Sequence, residues 1–356
     1  MANSRAVTSV LLLILAAELA WLALPAHSAA DTELSYNILI SSQIDEEKLD
    51  RMVSELEKMN VSTVKLWLST RILDDFSYWD LAIGKFSRAG IDVALDPWFR
   101  MEEMDVPGGT EKTNVLWKGE RIPDCPSIFA PETRDFMLEV CSRMGEHYSK
   151  ERPDLGAGIT SITVLNEPFV FLSCAKASPE LPLKWLIDED FDRAPRHLRA
   201  QNQELSELFL ECKELIKENL DVPVLLETTP PPLQPLELDA WKHSDISAVH
   251  IYPGNYYPFD WFIYKCLIEQ ARGHGKPIWV TEWSFDALCL YKEIEQPTPE
   301  FIQEFMRLSQ EWGVEKAFFF SLLFPTEEDC YPLYSPESGW LTERLPVKEA
   351  LEEFHA

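Results

Sequence analysis

The chain has 356 residues, of which 46% are hydrophobic, and a formal net charge of −28. This length suits one α/β barrel, which needs about 250 residues or more, or two ordinary domains. Acidic residues are spread along the chain and would repel phosphate backbones and anionic membranes, so nucleic acid is excluded as an expected partner. A solvated surface that keeps an exported protein soluble explains this charge better than adaptation to high salt.

Residues 1–30 have the pattern of a secretory signal peptide. Arg5 precedes an apolar run over residues 7–24, and small residues at 28–30 suit cleavage. The apolar run is somewhat long for a signal, which leaves an uncleaved membrane anchor as the alternative. We therefore expect a secreted or membrane-anchored protein in which residues 31–356 form a single catalytic domain.

Short apolar segments alternate with amphipathic helical segments through the rest of the chain, which predicts parallel strands joined by helices. The predicted strands are Asn37 to Ser41, Thr63 to Leu68, Asp92 to Leu95, Ser161 to Leu165, Pro223 to Glu227, Ala248 to Ile251, Ile278 to Thr281 and Ala317 to Leu322. The predicted helices are Glu46 to Met59, Tyr78 to Ala89, Glu132 to Lys150, Leu198 to Glu218, Leu236 to Trp241, Trp261 to Gly273, Pro299 to Trp312 and Val347 to Phe354. Eight such units predict a closed (β/α)8 TIM barrel.

An open doubly wound sheet is the rival fold. It would usually carry a glycine-rich turn for a dinucleotide or a phosphate after an early strand, and the sequence has none. We therefore expect no nucleotide cofactor. The seven histidines and seven cysteines also lack metal-ligand spacing, so we expect no metal, and the absence of G-x-S-x-G gives no support for a serine nucleophile.

Export would permit disulfides, although the sequence does not fix their pairing and the odd number of cysteines leaves at least one unpaired within the chain. Four cysteines fall in predicted loops, namely Cys125, Cys174, Cys289 and Cys330. Three fall on predicted helices, namely Cys141, Cys212 and Cys266.

Two glutamates come just after apolar strand runs, at the edge where a barrel enzyme builds its active site. Glu167 follows Asn166 at the end of the fourth strand, and Glu282 ends the seventh. These strands lie across the barrel mouth from each other, so the two carboxyls would flank one bond. Glycoside hydrolysis needs such a pair, one to protonate the leaving oxygen and one to attack the anomeric carbon or direct water.

The sequence Asn166-Glu167-Pro168 after a fourth strand, with Glu282 after a seventh, resembles the clan A glycoside hydrolases. Within that clan the likeness is closest to family 5, the cellulases and mannanases. The resemblance implies that Glu167 is the acid/base, that Glu282 is the nucleophile, and that Asn166 hydrogen-bonds the sugar 2-hydroxyl.

The resemblance continues after the sixth strand, where His250-Ile251-Tyr252 is similar to the family's His-x-Tyr. It implies that Tyr252 hydrogen-bonds the nucleophile and that His250 lines the sugar site. Strand alternation places these two side chains on one face. We expect the hydrogen bond from Tyr252 to favour ionised Glu282, and apolar surroundings to hold a proton on Glu167.

The chain departs from the family at two strands. The family's second-strand arginine has Arg71 as its candidate, a few residues late, and Arg100 as a rival. Phe320 on the eighth strand stands where the family has tryptophan. Among the aromatic residues after the strands, Trp98 and Trp283 are our predicted sugar contacts, because flat sugar faces stack on such rings.

We predict a retaining glycoside hydrolase that acts on a polysaccharide or oligosaccharide, without a cofactor. An endo-acting β-1,4-mannanase or β-glucanase is the leading hypothesis. The alternatives are an exo-acting β-glycosidase, a transglycosylase of the same clan, and a carbohydrate-binding barrel without catalysis.

Overall fold

The computed structural model describes most of the chain after residue 30. The described ranges are 31–39, 44–69, 75–98, 112–117, 120–126, 130–167, 193–229, 239–253, 260–284, 298–323, 333–335, 338–341 and 345–354. The predicted signal or anchor segment lies outside them. Among the helices of the described ranges, none has the length and apolarity needed to cross a membrane.

Eight parallel strands close into a barrel, as predicted. In chain order the strands of the described residues are β1 (Glu33–Leu39), β2 (Thr63–Ser69), β3 (Asp92–Trp98), β4 (Lys112–Trp117), β5 (Glu120–Pro126), β6 (Ile159–Asn166), β7 (Val224–Thr228), β8 (Ser247–Ile251), β9 (Ile278–Trp283), β10 (Lys316–Leu323), β11 (Tyr334–Ser335) and β12 (Gly339–Trp340). Four of these strands lie outside the barrel, namely β4, β5, β11 and β12. The barrel order is β1-β10-β9-β8-β7-β6-β3-β2. The fold class predicted from the sequence, a (β/α)8 TIM barrel, is confirmed.

Helices follow the strands around the barrel. They are α1 (Glu46–Lys58), α2 (Ser77–Arg88), α3 (Pro131–Glu146), α4 (Pro153–Gly156), α5 (Arg193–Lys217), α6 (Asp260–Arg272), α7 (Pro299–Glu311) and α8 (Leu345–Glu352), with a π-helical turn at His147–Glu151 and a 3₁₀ turn at Asp239–His243. The helix predicted to continue to Lys150 becomes the π-helical turn after Glu146. Pro153 removes a backbone donor just beyond that turn, which suits a change of helix type there.

Helix α1 shows how the sequence places a helix on the barrel. Asp45 caps its N-terminus by accepting a hydrogen bond from the Lys48 backbone N–H (2.9 Å). The apolar side chains then recur at helical spacing and are buried; they are Leu49, Met52, Val53 and Leu56. The opposite face carries charged residues, so only one stripe of the helix packs inward.

Two short antiparallel hairpins were not predicted. Strand β4 pairs with β5 in the connection after β3, and β11 pairs with β12 after β10. Strand β5 contains Pro123 and Pro126, and proline demotes a strand pattern because it cannot donate to the sheet. Cys125, predicted in a loop, lies in β5.

The barrel interior is filled by its own small apolar cluster, separate from the larger core between strands and helices. This inner cluster consists of Ala94, Leu225, Ile246, Ala248, Trp279 and Phe318. Their neighbours along the strands belong to the outer core, because successive side chains on a strand point to opposite faces. Polar interior side chains follow the inner cluster toward the carboxyl ends of the strands, where barrel enzymes carry their active sites.

Candidate active site

The structure brings Glu167 and Glu282 together at the carboxyl ends of the barrel strands. One carboxylate oxygen of each lies within 4.8 Å of the other. Glu282 is 5% exposed near the end of β9, whereas the Glu167 side chain is 17% exposed directly after β6. The Glu167 backbone has a φ of 43°, the left-handed region that side chains rarely adopt. Such strained positions recur at functional sites, where the surrounding structure holds them in place.

A β-bulge turns Glu282 into the barrel. Val249 of β8 pairs with Val280, but the next residue, His250, pairs with Glu282, so β9 has Thr281 as an extra residue. Val280 packs in the outer core, between the strands and the helices. Without the extra residue, strict alternation would place Glu282 on that same outer side. A second register shift, in β6 between Thr163 and Leu165, likewise turns the Asn166 side chain into the barrel.

Three neighbours hold the Glu282 carboxylate. The Tyr252 hydroxyl donates to Oε2 (2.6 Å), and Nδ2 of Asn166 donates to Oε1 (3.0 Å). Lys65 Nζ lies 3.7 Å from Oε1. The contact of Tyr252 with the candidate nucleophile is therefore present as the family resemblance implied.

The protonation of Glu282 differs from our expectation. Burial raises the pKa of this carboxyl to about 7, and the opposing charges of His250 and Lys65 do not cancel the effect. We expected the hydrogen bond from Tyr252 to hold Glu282 ionised, but the loss of water around the carboxylate is the larger influence.

Asn166 lies between two carboxylates. Its Nδ2 donates to Oδ2 of Asp96 (2.9 Å) as well as to Oε1 of Glu282. An amide nitrogen has two hydrogens, so both are used, and Oδ1 is the atom left to accept from a sugar hydroxyl. The predicted contact of Asn166 with the 2-hydroxyl stays a prediction, now with its direction specified.

A buried charge network below the two glutamates was missed from the sequence. Lys65 of β2, Asp96 of β3 and Glu227 of β7 are each at most 2% exposed. The Lys65 ammonium lies 2.5 Å from Oε2 of Glu227 and 3.1 Å from Oδ2 of Asp96. Charged residues within apolar strands were the available signal, since such groups are rarely buried without partners.

Burial and neighbouring charges act in opposite directions on the pKa values of the residues in this network. Burial would raise the pKa of Glu227, but the charge of Lys65 and a hydrogen bond from His250 lower it to about 2. Burial would lower the pKa of Lys65, yet the carboxylates around it raise that pKa above its usual range. For Asp96, burial prevails over the charge of Lys65 and its pKa is raised.

His250 links the network to Glu167. Its ring is fully buried; Nδ1 lies 2.6 Å from Oε1 of Glu167, and Nε2 lies 2.9 Å from Oε2 of Glu227. His250 thus contacts the acid/base candidate directly, and His250 and Tyr252 share the inward face that alternation predicted.

Aromatic rings of two other strands pack next to Tyr252. The Phe320 ring lies 6.2 Å from that of Tyr252 and 5.6 Å from that of Trp67, a residue of β2 that sequence reasoning did not select. Trp67 Nε1 donates to Oδ1 of Asn37 (2.8 Å), a fully buried residue of β1. Phe320 therefore lies at the site, where the family's tryptophan was expected.

Of the other predicted substrate contacts, Trp283 is the one whose side chain lies among the described residues. Trp283 is fully buried and stacks on Phe305 of α7, with ring centroids 3.9 Å apart, so its assignment as a sugar contact is wrong. It follows the inward-facing Glu282 and therefore points to the helices. Arg71, Arg100 and the Trp98 side chain lie outside the described residues. Among those that are described, Lys65 is the second-strand cation next to Glu282.

Glu167, His250 and Glu282 each offer a ligand atom, and these atoms are close enough together for a metal ion. However, both nitrogens of His250 already contact carboxylates, and the Lys65 ammonium lies beside Glu282. A metal ion would have to break these contacts and approach a cation. The arrangement fits acid–base chemistry better than metal binding, and the expected lack of a metal stays a prediction.

Part of the chain matches a known protein family. Residues 239–343, which include His250, Tyr252 and Glu282, match the family described as glycosyl hydrolase catalytic core. No curated protein matches the sequence.

Solved structures with the same fold cover nearly all of the chain. A β-galactosidase from Bacillus circulans sp. alkalophilus has a TM-score of 0.64 at 13% identity, covering 93% of this chain and 56% of its own. An endo-β-1,4-mannanase from Thermotoga petrophila has a TM-score of 0.56 at 13% identity, covering 92% and 77%. A GH5_18 protein from Bifidobacterium longum, in complex with Manβ1-4GlcNAc, has 0.60 at 11% identity, covering 91% and 78%.

At these identities the solved structures show the fold, and the chain spans little more than half of the β-galactosidase's length. The catalytic-core match over residues 239–343 and the shared barrel fold agree with the predicted resemblance to glycoside hydrolases, and they support a glycoside hydrolase.

Proposed function

We propose that the protein is a retaining glycoside hydrolase in which Glu282 is the nucleophile and Glu167 the acid/base. The observation that carries this proposal is the approach of the two carboxylates to within 4.8 Å at the mouth of the barrel. Retaining enzymes have carboxyl groups about 5 to 5.5 Å apart, whereas inverting enzymes leave about 6.5 to 9.5 Å for a water molecule. The short separation supports direct attack on the sugar.

The surroundings of each glutamate suit its role. Tyr252 and Asn166 hold both oxygens of Glu282, so the carboxylate is oriented before the substrate arrives. Glu167 is the more exposed of the two, which suits a group that must meet a leaving oxygen and later a water molecule.

The reaction would proceed in two steps. In the first, Glu282 attacks the anomeric carbon, the glycosidic bond breaks, and Glu167 gives its proton to the departing oxygen. In the second, water attacks that carbon, Glu282 leaves, and the water's proton passes to Glu167. Each glutamate ends as it began, and the configuration is retained.

The substrate we propose is a β-linked polysaccharide, with a β-1,4-mannan or β-glucan first. Two structural neighbours, a mannanase and a protein bound to Manβ1-4GlcNAc, support this order. We also propose that the protein is exported, on the basis of its N-terminal sequence. The net charge of −28 is compatible with a neutral polysaccharide and unfavourable for an anionic one.

A mechanism-based label tests the proposed function. An activated 2-fluoro glycoside should form a stable covalent adduct on a peptide that contains Glu282, seen by mass spectrometry after digestion. Glu282→Ala should take no label, and azide should restore part of its turnover. Hydrolysis should be screened on mannan, cellulose, xylan and mixed-linkage glucan. If no label forms and nothing in the panel is hydrolysed, the proposal is wrong.

Glu167 is tested through the leaving group. An acid is needed when the leaving oxygen is a poor leaving group, and hardly at all when it is an activated phenol. Glu167→Ala should therefore lose much more activity on the polysaccharide than on a dinitrophenyl glycoside. Equal loss on both substrates would contradict the acid role.

A further inference from the structure

Glu227 has no part in the two-carboxylate mechanism, although it is fully buried and ionised beneath the site. An ionised carboxylate without water is costly unless several groups compensate it. Three do so here: Lys65 Nζ at 2.5 Å and His250 Nε2 at 2.9 Å from Oε2, and Thr163 Oγ1, which donates to Oε1 (2.8 Å). Glu227 is thus held in one position by three other strands.

His250 stands between this carboxylate and Glu167. Burial disfavours its charged form, but the charges of Glu282 and Glu167 and the hydrogen bonds with Glu167 and Glu227 outweigh burial and raise the pKa of His250 to about 10. The ring is therefore an imidazolium near neutrality, and it donates from both nitrogens. The charged groups that face it are the carboxylates of Glu167, Glu227 and Glu282, and Lys65 contacts the last two of these.

We propose that Glu227 is a positioning residue, which keeps His250 doubly protonated so that its Nδ1–H occupies Oε1 of Glu167 and leaves Oε2 as the proton-transferring atom. This rests on the proposed function, because it assumes that Glu167 is the acid/base. With Oε1 accepting from the ring, the transferable proton has only Oε2 to reside on.

The proton balance is simple in this arrangement. When the glycosidic bond breaks, the proton on Oε2 of Glu167 moves to the departing oxygen. When water attacks, its proton returns to Oε2. The imidazolium of His250 keeps both of its protons throughout, so it orients Glu167 without being consumed. Glu227 acts through His250 and touches neither the sugar nor the reacting atoms.

Nitrogen NMR tests the charge of His250 without any substrate. In protein labelled with ¹⁵N-histidine, both nitrogens of His250 should show imidazolium shifts at pH 7, and His250→Gln would identify the signals. In Glu227→Gln the second proton should be lost at a lower pH than in the parent protein. A neutral His250 at pH 7 in the parent, or an unchanged titration in Glu227→Gln, would overturn the proposal.

Activity supplies the second readout. Glu227→Gln should reduce kcat on a substrate with a poor leaving group by about 100-fold, within the usual range for general acid catalysis. On a dinitrophenyl glycoside the reduction should be at least tenfold smaller. A purely structural role for Glu227 would lower both rates alike.

The chain offers a matched control. His147 also lies between two carboxylates, with Nδ1 2.7 Å from Glu151 and Nε2 2.9 Å from Asp80, on the outer helical layer. Glu151→Gln should change neither the His250 signals nor either rate. Thr163→Val, which removes one hydrogen bond to Glu227, provides a milder variant if Glu227→Gln does not fold.

Failure of this proposal is distinguishable from failure of the proposed function. A protein that hydrolyses glycosides but has a neutral His250 retains the function and overturns the role of Glu227. A protein with the imidazolium but no hydrolysis and no 2-fluoro label overturns the function, and the role of Glu227 in catalysis falls with it.

Discussion

Lys65 is one cation that compensates several buried carboxylates. It is 1% exposed, and Glu227 and Asp96 lie within 3.1 Å of its ammonium group. Lys65→Met keeps most of the side-chain volume but leaves these carboxylates without their counterion. We expect it to lower the free energy of unfolding by about 3 to 5 kcal/mol, the usual cost of breaking a buried ion pair. Urea denaturation measures the change.

Lys85 is the comparison for Lys65. Its two carboxylate partners, Glu46 and Asp50, are 66% and 59% exposed, so water can replace the lost contact. Lys85→Met should cost no more than about 1 kcal/mol, as is typical of surface pairs. Equal losses in the two variants would mean that the network around Lys65 contributes no special stability.

We expect the Glu282 carboxyl to set the pH dependence of activity. Since its pKa is raised to about 7 and the ionised form attacks in the proposed mechanism, kcat/KM should rise as the pH increases through this region. Tyr252→Phe removes the hydroxyl that donates to Oε2, which favours the ionised form. Hydrogen bonds to charged groups contribute about 1.5 to 3 kcal/mol. The acidic limb of the pH profile, where kcat/KM rises with pH, should therefore move up by about one pH unit or more in Tyr252→Phe.

The measurement is a pH profile of kcat/KM with an activated aryl glycoside. Tyr148→Phe is a suitable control, because the Tyr148 hydroxyl is buried and has no hydrogen-bond partner among the described residues. It should leave the acidic limb in place. An unmoved limb in Tyr252→Phe would indicate that another group sets it.

At the scale of strands and helices, the sequence was informative wherever a run of residues showed one periodicity. The buried parallel strand β9 begins with three consecutive apolar residues, and α1 has a clear inward stripe, so both were predicted to within a few residues. Their order along the chain was enough to indicate the closed barrel.

Features that depend on pairing between strands were beyond the sequence. The bulge at Thr281 exists only relative to β8 and β10, yet it decides that Glu282 faces inward and Trp283 outward. Glu227 lies near the end of a strand just as Glu167 follows one, but the role we propose for it depends on Lys65, 162 residues away. Spacing between distant residues does not reveal such contacts.

The outward position of Trp283 leads to a prediction about the layer between β9 and α7. Its ring stacks on Phe305 at an interplanar angle of 12° and is fully buried. Trp283→Ala should lower the free energy of unfolding by about 3 to 5 kcal/mol through the cavity it leaves. Trp283→Phe should be milder and should leave KM unchanged, whereas a sugar contact would raise KM. Denaturation curves and kinetics on the two variants decide between these outcomes.

The molecule as a whole combines a strongly acidic surface with an acidic interior. Four interior carboxyls, on Asp96, Glu167, Glu227 and Glu282, share Lys65 and His250 as their described cationic partners. Buried charges of one sign raise the free energy of the folded state, whereas the proposed chemistry needs two carboxylates close together. We therefore expect the active site to reduce stability where all four carboxyls are ionised.

Glu282→Gln tests this conflict between stability and chemistry. The pKa of Glu282 is about 7 in the folded protein against 4.5 ordinarily, so its contribution to stability is fully present below pH 4.5 and is lost as the pH rises through 7. At about 1.4 kcal/mol per pKa unit, the loss is on the order of 3 kcal/mol. Gln does not titrate, so the stability of Glu282→Gln relative to the parent should increase between pH 5 and pH 8.

Urea denaturation at both pH values measures this difference. Glu57→Gln, on the exposed face of α1, removes the same charge from the surface and should show little change with pH. Because the comparison is made between two pH values, any constant effect of placing an amide beside Asn166 and Lys65 cancels. A difference that stays constant from pH 5 to pH 8 would show that Glu282 is already ionised at the lower pH, and that burial does not control its proton.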